Sequence, residues 1–226
     1  MKTIKHTYEK LKLFFKKYRH ACILLYIFIY FPWFLMLEEH IVNYTSIHIW
    51  LDDLVPFCEF FIIPYFLWFA YVPAAVAYFL FTSKKEYYYL CAHLFIGMTI
   101  FLVICTIWPN GQDLRPTVFP RDNIFTDMVR HLYNGDTSTN VFPSIHVYNS
   151  IVTHIAIVKS ERLAKHKWIR IPSFILMISI CLATVFLKQH SCMDVFGGIV
   201  LSALIYKLVY KTDHSYLFSL LHEEEF

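Results

Sequence analysis

Charge is scarce in this sequence: only 16% of its 226 residues are Asp, Glu, Lys or Arg, against 58% hydrophobic and 19% aromatic residues. About a quarter of a typical soluble domain is charged, so this chain lacks the means to clothe a surface in water. Long Gly/Ser-rich or Pro-rich stretches are missing too, and every polar segment lies between hydrophobic runs, which leaves no linker and argues for one domain. No internal repeat is present. The six cysteines (Cys22, Cys58, Cys91, Cys105, Cys181 and Cys192) stand singly, with no C-x-x-C pair to serve zinc or redox chemistry, and read as free packing thiols. No small-residue cleavage site follows the first apolar run. Glu38 and Glu39 stand there instead, so that run is expected to stay as an anchor. The Asp, Glu and His residues show no metal-ligand spacing, and no metal or other cofactor is expected.

Present instead are apolar runs at 21 to 37, 56 to 82, 87 to 108, 143 to 159, 168 to 187 and 192 to 210, with a mean hydropathy of +0.48 over the chain. A bilayer core about 30 Å thick takes roughly 20 helical residues to cross. The expected fold is therefore all-α: a polytopic membrane protein with a six-transmembrane-helix bundle. The fourth run is the most polar, interrupted by Ser144, His146, Asn149, Ser150 and His154, and must face protein or a wet cavity, since such residues are costly against lipid. His154 reads as a hydrogen-bonded core histidine or as an extension of a proton path from His146.

The net charge of +3 suggests nucleic-acid binding only if its distribution is ignored. With a cytoplasmic N-terminus, 16 of the 20 Lys and Arg residues fall on inside segments, including Lys84 and Lys85 and the set from Lys159 to Arg170. Only Arg115, Arg121, Arg130 and Lys188 fall outside. The positive-inside rule then places both termini in the cytoplasm. Residues 1–20 are expected as a basic cytoplasmic segment, amphipathic through Ile4, Tyr8, Leu11 and Phe15 or else a frayed tail. Residues 21–212 form the membrane catalytic domain and 213–226 a cytoplasmic tail. In the outside loop 109 to 142, Ile124, Phe125, Met128, Val129, Leu132 and Tyr133 share one face of a helix over Asp122 to Gly135, capped by Asp122 or Asn123. It is expected to be an interfacial helix lining the approach to the site, or simply packed over the bundle. Asn43-Tyr44-Thr45 fits a glycosylation sequon.

The outside ends of the last four runs bring together Asn110 to Pro116, Pro143 to His146, and Lys188 to Asp194. His190 and Asp194 are four apart, so on one helix face the carboxylate can fix the imidazole tautomer and free the other nitrogen as a nucleophile. Their alternative is a helix-starting hydrogen bond without chemistry. Pro143 is expected in the first turn of a helix capped by Thr139 or Asn140, with its free N–H groups facing an anion. Ser144 adds a hydroxyl, and His146 stands where a general acid would protonate a leaving oxygen. Arg115 offers a fork matched to phosphate oxygens and Lys188 a point charge, unless they bind headgroups or pair with Asp113.

These residues resemble the type 2 phosphatidic acid phosphatase superfamily, whose signatures are K-x6-R-P, P-S-G-H and S-R-x5-H-x3-D. The resemblance runs from Arg115 through Asp194. It implies His190 as nucleophile, Asp194 as its orienting carboxylate, His146 as general acid, and Arg115 and Ser144 as phosphate binders. The chain departs from the family pattern at three points: Trp108 replaces the first-motif Lys, Ile145 the Gly of P-S-G-H, and Ala183-Thr184 the S-R pair. Two family cations are thereby missing, and Lys188 is the nearby candidate to replace them. These departures resemble those of the lipid phosphotransferase branches, such as inositol phosphorylceramide and sphingomyelin synthases. The function expected is a lipid-phosphate phosphatase, acting in the plasma membrane bilayer on a lipid phosphate or phospholipid at the extracytoplasmic face through a phosphohistidine. The alternatives are headgroup transfer to an alcohol, or a non-catalytic membrane binding protein.

Overall fold

The computed structural model describes residues 16–40 and 43–212. The amphipathic pattern expected over Ile4 to Phe15 and the tail 213–226 lie outside these residues. Within them the chain forms eight α-helices: α1 (Ile27–His40), α2 (Trp50–Leu54), α3 (Ile62–Thr82), α4 (Lys84–Ile107), α5 (Ile124–Gly135), α6 (Ile145–Lys159), α7 (Lys167–Phe186) and α8 (Cys192–Tyr206). A 3-10 stretch, Arg19–Tyr26, leads into α1, another, Glu59–Phe61, into α3, and a π-helical turn, Lys207–Lys211, continues α8.

Among the described residues, five helical segments are long and apolar enough to cross a membrane: Arg19–His40, Glu59–Thr82, Lys84–Ile107, Lys167–Phe186 and Cys192–Lys211. Phe28, Ile29, Phe69, Ile107, Phe174 and Phe196 are all exposed on them. Apolar surface on that scale is rare on soluble monomers and belongs in hydrocarbon. The fourth run also folds as a helix, but α6 has 15 residues, about 22 Å at 1.5 Å per residue, and is not among the five. It lies inside the bundle, against α3, α4, α7 and α8. Nine of its residues are buried, among them Asn149, Ser150 and Thr153, so its polar side chains face protein as the sequence requires. The Ser150 hydroxyl donates back to the His146 carbonyl at 2.6 Å, and His154 Nδ1 lies 2.9 Å from Ser173 Oγ. Serine or threonine bonding back to the preceding turn is the usual way such groups are satisfied within a helix.

Local sequence sets the helix ends. Ser83 caps α4 by accepting from the Glu86 N–H, and Asn123 caps α5 by accepting from Phe125 N–H at 2.9 Å and Thr126 N–H at 3.1 Å. The apolar face of α5 packs over the bundle: Val129, Phe125, Met128, Leu132 and Tyr133 join Ile62, Tyr65, Ala183 and Leu187 in one cluster. A larger core cluster joins α1, α3, α4, α6 and α8 around Phe79, Tyr87, Leu94, Tyr148 and Ile205. At the end of the bundle near α5, β1 (Thr45–Ser46) pairs in parallel with β2 (Asn110–Gly111), Thr45 opposite Asn110 and Ser46 opposite Gly111. This pairing draws the segment after α1 onto the segment after α4.

Candidate functional site

The site forms where α4 and α7 end and α6 and α8 begin. Chain reversal between α7 and α8 is made by Lys188, which stands in the left-handed region at φ 52°. Its N–H donates to the Val185 carbonyl at 3.1 Å while the Gln189 N–H donates to the Thr184 carbonyl at 2.9 Å. These are the two bonds of a Schellman ending, a position glycine usually fills because a Cβ is strained there. The Lys188 carbonyl in turn accepts from Gln112 Nε2 at 2.9 Å. The His190 N–H, like that of Gln189, goes to the Thr184 carbonyl, at 3.0 Å. Thr184 thus holds this turn through its backbone, at a position where the family signature has a cation.

Ser191 caps α8 and shares a capping box with Asp194. Asp194 Oδ2 accepts from the Ser191 N–H at 2.8 Å and lies 3.3 Å from His190 Nδ1. Asp194 is fully buried and His190 only 8% exposed. A carboxylate only accepts, so Nδ1 carries the proton and Nε2 keeps its lone pair. The expected four-residue pairing is therefore present.

Across from it, α6 approaches α8 at Gly198, where a Cβ would meet the Ser144 carbonyl oxygen at 2.9 Å and Val147 side-chain carbons at 3.2 Å. The Ser144 N–H donates to the Asp194 carbonyl at 3.0 Å, tying the two helix starts together. One expectation fails: Ser144 itself is the N-cap of α6, its Oγ accepting from the Val147 N–H, and Pro143 lies before the cap. Asn140 does not cap, since its Nδ2 donates to Glu38 at 2.6 Å. Serine outcompetes the upstream residues because its short hydroxyl reaches the free amide of the third helical residue, Val147. His146 is held between Tyr65 and Trp68, with ring centroids at 4.6 Å and 4.4 Å, and its ring lies 5.7 Å from that of His190. Its Nε2 is buried without a hydrogen-bond partner.

Arg115 reaches the same region from the loop after β2. It donates to the carbonyls of Tyr133 (3.3 Å), Asp136 (2.8 Å) and Thr137 (2.7 Å), and to Gln189 Oε1 at 2.5 Å. Its guanidinium lies over the Tyr133 ring at 4.6 Å, and Nε is buried without a partner. A cation at the end of α5 meets unpaired carbonyls there. Asp136 stands 3.8 Å away; burial raises its carboxyl above the ordinary range, against the opposing pull of Arg115. Arg115 does not pair with Asp113, which accepts from Tyr44 Oη and Ser46 Oγ, both at 2.7 Å, and is held below the usual carboxylate range by those bonds. Lys188 Nζ donates to the Asp52 carbonyl at 2.7 Å.

Asp52, buried on α2, is at the site but carries no motif signal. Burial acts to raise its carboxyl, but bonds from Ser191, Cys192 and Ile49 outweigh it and hold the group below its usual range. A hint lay in the segment between the first two apolar runs, which has acids but no Lys or Arg. Asn110, which the sequence places at the site, accepts through Oδ1 from the Val141 and Phe142 N–H groups, at 3.0 Å and 2.8 Å, fixing the segment that leads into α6.

Neither a curated protein nor a solved structure matches the chain. A family model does: the one described as PAP2 superfamily, over residues 110–216. That stretch holds Arg115, Ser144, His146, Lys188, His190 and Asp194, the whole set singled out from the motifs. Family members are phosphatases or phosphotransferases. Residues 110–216 match the PAP2 superfamily, the group the motifs of this chain resemble.

Proposed function

We propose that this protein is a membrane lipid-phosphate phosphatase that works through phospho-His190 at the extracytoplasmic face. The observation that carries the reading is the His190 to Asp194 pair beside the His146 ring. His190 Nε2 attacks phosphorus, the bond to the lipid oxygen breaks, and His146 gives its proton to that oxygen. Water then attacks the phosphoenzyme while His146 takes a proton back, the P–N bond breaks, and phosphate leaves. The Ser144 hydroxyl accepts from its own helix and keeps its proton to donate to a phosphate oxygen. Arg115 exchanges carbonyl partners for phosphate oxygens, a stronger, charge-assisted match, and Lys188 supplies the second cation. The site residues cluster at one end of the bundle, while Lys84, Lys85, Lys159 and Lys167 lie at the other ends of the same helices. That division supports cytoplasmic termini, with α6 as a sixth, protein-sheltered crossing and α5 at the membrane interface.

The test is purified protein in liposomes with labelled lipid phosphates. Phosphate release and an acid-labile phosphoenzyme are expected, both lost in His190→Ala. Release that survives this substitution refutes the mechanism. Headgroup transfer is a second reading, favoured by Ile145, which is buried at the start of α6 where the family has no side chain. An apolar wall there disfavours free water and suits a lipid alcohol. Label moving to added ceramide or diacylglycerol, with a ratio that changes in Ile145→Gly, selects transfer.

A further inference from the structure

We infer that Asp52, which lies outside the matched segment and outside all three motifs, is a positioning residue for His190. The inference rests on the reading of His190 as nucleophile. Asp52 is 2% exposed. Its Oδ2 accepts from the Ser191 hydroxyl at 2.6 Å and from the Ile49 N–H at 2.9 Å, and its Oδ1 accepts from the Cys192 N–H at 2.7 Å. Its carbonyl takes the Lys188 ammonium. Residues 188, 191 and 192 are thus all held by one residue, and His190 sits between them.

Asp194 grips the same turn from the α8 side, through the Ser191 N–H. Two carboxylates therefore share Ser191, Asp194 at its amide and Asp52 at its hydroxyl. The hydroxyl also accepts from the Met193 N–H at 3.1 Å, so the bond to Asp52 sets the orientation of the α8 cap. Asp52 is itself fixed in place. The Ile47 N–H donates to the Gly111 carbonyl at 2.7 Å, β1 pairs with β2, and Asp113 holds Tyr44 and Ser46.

A second consequence concerns substrate. The N-terminus of a helix attracts an anion through its free amides and dipole. At α8 the Cys192 amide is already taken by the Asp52 carboxylate. The phosphate is therefore left to the first turn of α6, beside Ser144 and His146, which places it opposite His190 rather than behind it. Asp52 acts on the reaction in two ways: it fixes the nucleophile, and it closes the competing anion seat.

The test uses the full chain with Asp52→Asn. The amide keeps the size of the side chain but loses the charge, and its one oxygen serves either the Cys192 N–H or the Ser191 and Ile49 donors, leaving the NH2 group against the other. Three readouts are taken: kcat and KM on a lipid phosphate, thermal unfolding, and the 15N imidazole signals of His190, identified by their loss in His190→Asn. The expected result is a kcat lower by about 10²-fold, the cost of roughly 1 Å of misplacement, with KM unchanged. His190 should pass from a single Nδ1–H tautomer to a mixture. A wild-type kcat and tautomer with only a lowered Tm overturns the inference, because Asp52 would then be structural. If Asp52→Asn does not fold, Ser191→Ala removes the same hydroxyl bond with Asp52 in place, and the same two outcomes apply. If the wild-type protein turns over no lipid phosphate, the proposed function fails, and the His190 signals still decide whether Asp52 fixes that ring.

Discussion

Replacing Asp194 with Asn isolates the role of the carboxylate, because the two side chains have the same shape and Asp194 is fully buried. In the native protein Oδ2 serves both the Ser191 N–H at 2.8 Å and His190 Nδ1 at 3.3 Å, while Oδ1 has no partner. An amide has one oxygen, and the Ser191 N–H needs it to keep the start of α8 capped. His190 then faces either that same, now neutral, oxygen or the NH2 group. The first arrangement removes a charge-assisted bond, about 1.5 to 3 kcal/mol. The second donates to Nδ1 and drives the proton to Nε2, where it blocks the attacking lone pair. The same change in a serine-protease triad lowers kcat by about 10⁴ through the wrong tautomer, and a loss between these limits is expected here. Rapid-quench measurement of phosphoenzyme formation on a labelled lipid phosphate gives the rate, and thermal unfolding shows that the fold persists. A loss smaller than about tenfold, or 1.4 kcal/mol, lies below the value of one charge-assisted bond and would refute the coupling of Asp194 to the nucleophile.

His146→Ala should slow turnover by about 10² to 10⁴, the range of general acid help, and much less on a substrate with a good leaving group; an equal loss on both substrates would remove His146 from the proton transfer. Lys188→Ala should lower kcat/KM about tenfold or more, as for a charge-assisted contact of about 1.5 to 3 kcal/mol, whereas a loss of less than about twofold would show that the ammonium stays on the Asp52 carbonyl and does not hold phosphate. In Gly198→Ala the new methyl group meets a backbone oxygen at 2.9 Å, so α6 must move off α8. Overpacking of this kind costs about 1 to 3 kcal/mol, and Tm and kcat should fall together; a variant with both unchanged would disprove the close approach.

Sequence alone determined the membrane character, the long apolar helices, the α5 cap to within Asp122 or Asn123, and the His190 to Asp194 pairing. Each of these depends on contacts within a few residues, or on a composition that only hydrocarbon satisfies. The polarity of α6 was legible for the same reason, since a run with Asn149 and Ser150 has to face protein. Tertiary structure decided the rest. No glycine marked the left-handed turn at Lys188, because bonds from Gln112 and to Asp52, 76 and 136 positions away along the chain, hold that conformation. Tyr65 and Trp68 came to flank His146 only when α3 packed on α6. Arg115 found the carbonyls that end α5 rather than the adjacent Asp113, since a loop's direction is set by what it docks on and not by its own residues. Asp52 shows the limit most clearly: an acid on a five-residue helix has no pattern to read, and its meaning arises from a bond to Ser191 that spans 139 positions of chain.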